Sequence, residues 1–143
     1  MATERKASVT WQGDLMSGRG TIESLTSGVF GPLEVDWANR AEDAQGKTSP
    51  EELIAAAHAA CFAMALSNGL AQDGHAPERL ETSATVTFVP GTGITKSALT
   101  VTGTVPGLDE DAFQEAAEQA KENCPVSSAL RGNVELELYA RLT

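Results

Sequence analysis

The chain has 143 residues, 41% of them hydrophobic and 21% charged. Length and composition are those of one ordinary globular domain, spanning 1–143, and exclude a disordered tail, a collagen-like fibre and a membrane protein. Ten basic residues against twenty acidic ones leave a net charge of −10, a field that repels nucleic-acid backbones and anionic lipid surfaces.

In chain order, the polar start Met1-Ala2-Thr3-Glu4-Arg5-Lys6 carries no apolar run, so no secretory signal is read and the expected compartment is the cytoplasm. Val9 and Trp11 alternate with polar residues, and Gly13-Asp14 and Gly18-Arg19-Gly20 punctuate a hairpin into a second strand over 21–25. Leu33, Val35 and Trp37 recur at period two and predict a short strand; 38–47 reads as a polar loop. Ser49 with Glu52 three residues on forms a capping box, and Pro50 falls at the first helical position, where a missing N–H costs nothing. An alanine-rich helix then runs over 53–71, apolar nearly all round, which predicts burial on most sides. Its apolar stretch over 53–66 is too short to span a bilayer. Strands over 81–89 and 94–105 flank Pro90-Gly91-Thr92-Gly93 as a meander. Asp109 caps a second helix with the apolar stripe Phe113, Ala116, Ala117 and Ala120, which ends before Cys124-Pro125. One helical turn over 126–130 and a strand over 133–142 close the chain. The fold class is α+β: antiparallel strands packed on a long buried central helix and a shorter second helix. With aromatic residues at only 5%, the core is thin, and self-association would bury more surface.

Chemistry rests on few residues. Two cysteines, Cys61 and Cys124, stand 63 positions apart; two Cys and two His without paired spacing make a poor zinc site. Cys61, in mid-helix, reads as a small buried hydrophobe unless a guanidinium favours its thiolate. Cys124, where one helix ends and another turn begins, has following N–H groups that lower a thiol pKa; local chemistry makes it the readier thiolate, against the plain reading of an inert helix-end Cys. His58, three residues before Cys61, is either a partner for acyl transfer or a satisfied core histidine. Glu51 and Glu52 invite a general acid–base reading; their plainer role is to favour the positive end of the helix dipole.

The run Thr48-Ser49-Pro50-Glu51-Glu52-Leu53-Ile54-Ala55-Ala56-Ala57-His58-Ala59-Ala60-Cys61-Phe62, with Asn123-Cys124-Pro125-Val126-Ser127 later, resembles the two cysteine motifs of the OsmC/Ohr family of thiol peroxidases. Trp11-Gln12-Gly13-Asp14, Gly18-Arg19-Gly20 and the last strand fit the same pattern, so the resemblance covers nearly the whole chain. It implies reduction of hydroperoxides, organic ones preferred, with Cys61 as the peroxidatic residue that becomes a sulfenic acid. Cys124 is then the resolving residue, closing an intramolecular disulfide that an external dithiol, by analogy a protein-bound lipoyl group, reduces. No metal, haem or flavin cofactor is implied. This order reverses the local reading of the two thiols. The family also activates its first cysteine with an arginine and a glutamate. Arg40 matches the OsmC branch and Arg19 the Ohr branch; the overall pattern favours Arg40, with Glu51 holding it. Ala41 departs from relatives that carry a larger side chain there, which leaves the pocket wall and substrate size open.

Glu51 and Cys61 lie ten positions apart, about 15 Å along a helix axis, which makes a compact Cys–Arg–Glu cluster awkward within one subunit. Two copies of the helix packed antiparallel about a two-fold axis would bring Glu51 of one towards Cys61 of the other. This predicts an isologous, intertwined homodimer, as the family resemblance also implies. The competing class is a non-catalytic dimer that binds a small apolar ligand and keeps two inert thiols.

Overall fold

The computed structural model describes residues 2–143. Its elements are β1 (Ala7–Gln12), β2 (Arg19–Leu25), β3 (Leu33–Val35), α1 (Trp37–Ala41), α2 (Pro50–Gln72), β4 (Arg79–Val89), β5 (Gly93–Thr104), α3 (Glu110–Asn123), α4 (Pro125–Leu130) and β6 (Glu135–Leu142). The mixed α+β class is as the sequence predicts. The chain divides into two compact units, one ending at Pro50 and the other running from Glu51 to Thr143.

The first unit is an antiparallel sheet in the order β1-β2-β3. Its hairpin turn is tied by Asp14, whose carboxylate accepts from the Ser17 N–H at 2.8 Å and the Ser17 hydroxyl at 2.6 Å. Glycine is required at position 18: a Cβ there would stand 2.2 Å from the Asp14 carbonyl oxygen and 2.6 Å from that of Gln12. The third strand stops at Val35: Trp37, read as its continuation, instead opens α1, which runs on into the stretch read as a loop. Asp36 starts that helix by accepting from the Asn39 N–H at 2.8 Å and pairs with Lys47 at 2.7 Å. Five residues are too few to leave a helical period in the sequence.

In the second unit β4 and β5 pair antiparallel, with a register shift between Thr87 and Phe88. The closing strand pairs parallel to β5, where the sequence pattern suggested antiparallel strands throughout. A parallel neighbour needs a crossover, and α3 and α4 supply it. Alternate residues of β5, namely Ser97, Leu99, Val101 and Gly103, are buried on one face. Leu99 and Val101 meet Phe62, Leu66 and Leu70 of α2 and Phe113, Ala117 and Ala120 of α3 in one core. Gly103 makes room for this: a Cβ there would lie 2.6 Å from Phe113 Cζ. The α3 start is the predicted one, with the Asp109 carboxylate accepting from the Ala112 N–H at 2.8 Å.

The long helix departs from the sequence expectation of burial on most sides. Only Glu51, His58, Phe62, Leu66 and Leu70 are buried, a stripe along one side. Its other faces are half-buried or exposed, and Met64 is 72% exposed. One chain supplies packing partners for one face only. By length and composition α2 could cross a bilayer, yet its buried stripe carries Glu51 and His58 and packs into the protein's own core.

Candidate active site

The two cysteines, 63 positions apart in sequence, meet in the second unit. Cys61 lies half-buried on α2, against the core that contains Cys124. Cys124 occupies the joint between α3 and α4: its N–H closes α3 on the Ala120 carbonyl at 2.9 Å, and its carbonyl accepts from the Ser128 N–H at 2.9 Å. Pro125, the first residue of α4, forces the chain to restart there, because it has no N–H with which to continue α3. The break leaves Cys124 fully buried as the N-cap residue of α4.

The two thiols act on each other, and their surroundings differ. Burial pushes the Cys61 thiol up, and the hydrogen bond and charge of Cys124 add to that, against the Val126 N–H. Burial acts the same way on Cys124, but the Ser127 N–H, the Cys61 thiol, the Ser127 hydroxyl and the Val126 N–H outweigh it, so its pKa falls below that of a free thiol. Of the two, then, Cys124 is the more readily ionised. That is the order local sequence chemistry suggests. The arrangement is suited to closing a sulfur–sulfur bond.

His58 does not pair with Cys61. It is fully buried, with Nδ1 2.7 Å from Ser97 Oγ and Nε2 2.8 Å from Ser127 Oγ. Both ring nitrogens are occupied by hydroxyls, and burial pushes the ring pKa below its ordinary 6.5. The histidine is the satisfied core residue of the plainer reading. Ser97 and Ser127 went unnoticed in the sequence; their only signals are the period-two burial of β5 and a place three residues after Cys124.

Glu51 is buried at the start of α2, in the same unit as Cys61. The two stand ten positions apart on one unbroken helix, about 15 Å of rise. Arg40 belongs to the first unit, in the last turn of α1. It borders a cavity of about 190 Å³ whose other walls include Trp11, Leu15, Val35 and Trp37. Arg19 opens β2 and is exposed.

Comparison with known proteins sets this geometry in a family. The profile of the OsmC-like protein family matches residues 42–139. The chain is 41% identical to peroxiredoxin OsmC of Escherichia coli (strain K12) over 140 residues, 96% of each protein. It is 34% identical over 107 residues to the organic hydroperoxide resistance protein OhrB of Bacillus subtilis (strain 168), covering 74% of this chain and 79% of that one. The crystal structure of B. subtilis OhrB superposes with a TM-score of 0.74, covering 95% of this chain and 98% of the other at 31% identity.

Proposed function

The chain belongs to the OsmC-like protein family, and we propose that it is a cysteine-based peroxidase that reduces organic hydroperoxides. The observation that carries this reading is that Cys61 packs against the buried core that holds Cys124, the second cysteine of the chain. In the proposed cycle the Cys61 thiolate attacks the distal oxygen of ROOH, the O–O bond breaks, and the alkoxide takes a proton to leave as ROH. Cys61 is now a sulfenic acid. The Cys124 thiolate attacks that sulfur, the S–O bond breaks, hydroxide leaves as water, and a Cys61–Cys124 disulfide remains. An external dithiol returns both thiols by exchange.

Arg40 and Glu51 complete the proposal. A guanidinium beside Cys61 offsets desolvation of its thiolate and hydrogen-bonds peroxide oxygens, and Glu51 holds the guanidinium by a bidentate pair. The apolar walls around Arg40, Trp11, Leu15, Val35 and Trp37, suit an alkyl group. We further propose a homodimer. Ala57, Ala60, Met64, Asn68 and Ala71 recur at helical spacing as an exposed, largely apolar stripe on α2, and the same stripe of a second copy would cover it. We place the enzyme in the cytoplasm, where free thiols are kept reduced.

The test is peptide mapping after one equivalent of an organic hydroperoxide, on the reduced protein and on Cys124→Ser. A Cys61–Cys124 disulfide in the parent and a trapped sulfenic acid on Cys61 in the variant support the cycle and its order. Thiols that stay free while peroxide persists refute it and leave the binding dimer as the reading.

A further inference from the structure

Arg40 stands on a helix too short to hold itself. Helix α1 has five residues, and isolated helices of fewer than about a dozen residues are marginal in water. It forms because the segment around it is closed by side chains. Asp36, the N-cap residue, is the hub. Its carbonyl accepts from the Arg40 N–H at 3.1 Å, Oδ1 accepts from the Asn39 N–H at 2.8 Å, and Oδ2 accepts from Lys47 Nζ at 2.7 Å. Lys47, eleven residues on, returns through a tight turn in which its N–H donates to the Ala44 carbonyl at 2.9 Å. Gln45 and Gly46 take left-handed φ angles of 45° and 80° to make that turn. The Asn39 amide donates to the Asp43 carbonyl at 2.8 Å, and the Thr48 N–H to the Glu34 carbonyl at 3.2 Å, so the segment leaves β3 and comes back to it.

The Asp36–Lys47 pair is more than a loose surface contact, since the two side chains are only 17% and 34% exposed. The Lys47 hydrogen bond and the Asn39 N–H hold the Asp36 carboxyl below its usual range, and Asp36 holds the Lys47 ammonium above its own. Glu34 adds to the attraction on Lys47 and Arg19 opposes it. Asp36 and Arg40 also line one cavity, together with Trp11, Leu15, Val35 and Trp37. They stand one helical turn apart, so a shift of the hub carries Arg40 with it.

We propose that Asp36 and Lys47 are a positioning pair that fixes α1 and thereby sets the Arg40 guanidinium on the cavity wall. The inference rests on the reading of Arg40 as the activator of Cys61. The pair touches no substrate and moves no proton. Without Lys47 the 42–47 loop loses its tie to the helix start, the five-residue helix frays, and Arg40 spends less time in one place. The attraction between a cation and a thiolate falls with their separation, so the Cys61 thiol then titrates higher. The two duties of Asp36 are separable: Asn caps a helix about as well as Asp, but it carries no charge to pair with Lys47.

Two measurements test the pair. Amide hydrogen exchange reads the segment itself: in Lys47→Met the Asn39, Arg40 and Glu42 amides should exchange about tenfold faster than in the parent, with α3 unaffected. Unchanged rates overturn the proposal. Alkylation of Cys61 against pH, in a Cys124→Ser background, reads the consequence. Lys47→Met and Asp36→Asn should each raise the midpoint by about half a pH unit to one unit, part of the shift caused by Arg40→Met, and Lys47→Arg should restore it. Added to Arg40→Met, Lys47→Met should change nothing more, because a residue that acts through another has no effect once that other is gone. A shift that persists without Arg40, or Arg no better than Met at position 47, overturns the proposal. Asp36→Asn, the milder change, decides if Lys47→Met does not fold. A profile that Arg40→Met leaves unmoved refutes the activator reading, and the pair's part in it falls too; a profile that Arg40→Met moves and Lys47→Met does not refutes the pair alone.

Discussion

Acidification should destabilise this protein through His58 well before its carboxylates are protonated. The ring is fully buried, its two partners are neutral hydroxyls, and burial depresses its folded pKa below 6.5. In the unfolded chain the same ring takes up a proton near pH 6.5. A depressed folded pKa means that the stabilisation is fully present above the unfolded pKa and is lost as pH falls towards the folded one. Each pH unit in that window removes up to about 1.4 kcal/mol per proton bound only by the unfolded chain. Between pH 7 and pH 5 the loss from His58 therefore approaches about 2 kcal/mol while the folded ring stays neutral. The assay is urea unfolding at pH 7, 6 and 5, at one protein concentration, for the parent and for His58→Gln. Gln keeps a donor and an acceptor but has no pKa in the window, so its pH slope should be shallower by that amount. Equal slopes in parent and variant, or an NMR titration of His58 near 6.5 with the fold intact, would refute the reasoning.

Gly103→Ala should cost about 1–3 kcal/mol, since its Cβ must displace the buried Phe113 ring. Phe113→Leu in the same chain should recover part of the loss, and unfolding midpoints of the four combinations measure the coupling. Asp109→Ala removes the α3 cap and should cost about 1 kcal/mol, most of it returned by Asp109→Asn; a silent Ala variant would show that the cap bond contributes nothing. Arg40→Met should raise the pH midpoint of Cys61 alkylation by about 1–3 units, the effect of an opposite charge within a few Å. An unchanged profile would remove Arg40 as the activator and promote Arg19.

Features set by local chemistry were legible in the sequence. The α2 start at Pro50, the Asp109 cap, the α3 stripe and the break at Cys124-Pro125 all follow from residues within four positions of one another. So did the depressed pKa of Cys124, because its donors are its own immediate neighbours. Contacts between distant segments left no local mark. The parallel pairing of β6 depends on which edge of β5 is vacant, and alternation in 133–142 is the same for either direction. The Ser97–His58 bond joins residues 39 positions apart, and nothing in a single serine on a strand announces it. Helix α1 was missed for another reason: five residues carry too little pattern to outweigh polar composition.

The two thiols pose a question of order that the fold itself frames. Within the second unit the donors at the α4 start favour charge on Cys124, whereas the proposed cycle begins with charge on Cys61. Which of two neighbouring thiols ionises first depends only on the difference between their surroundings. A guanidinium at Cys61, the role proposed for Arg40, acts on that difference with the same order of strength as a few N–H donors. Once Cys61 is a sulfenic acid the competition ends, because the electron pair has gone to oxygen. The donors that opposed the first step then serve the second, holding Cys124 as a thiolate against burial. An active site of this kind needs an activator for each sulfur: a cation for the thiol that meets peroxide, and fixed donors for the thiol that waits. The second set belongs to the start of α4, next to Cys124 in sequence, which is why loss of Arg40 should slow formation of the sulfenic acid and leave the chemistry of Cys124 intact.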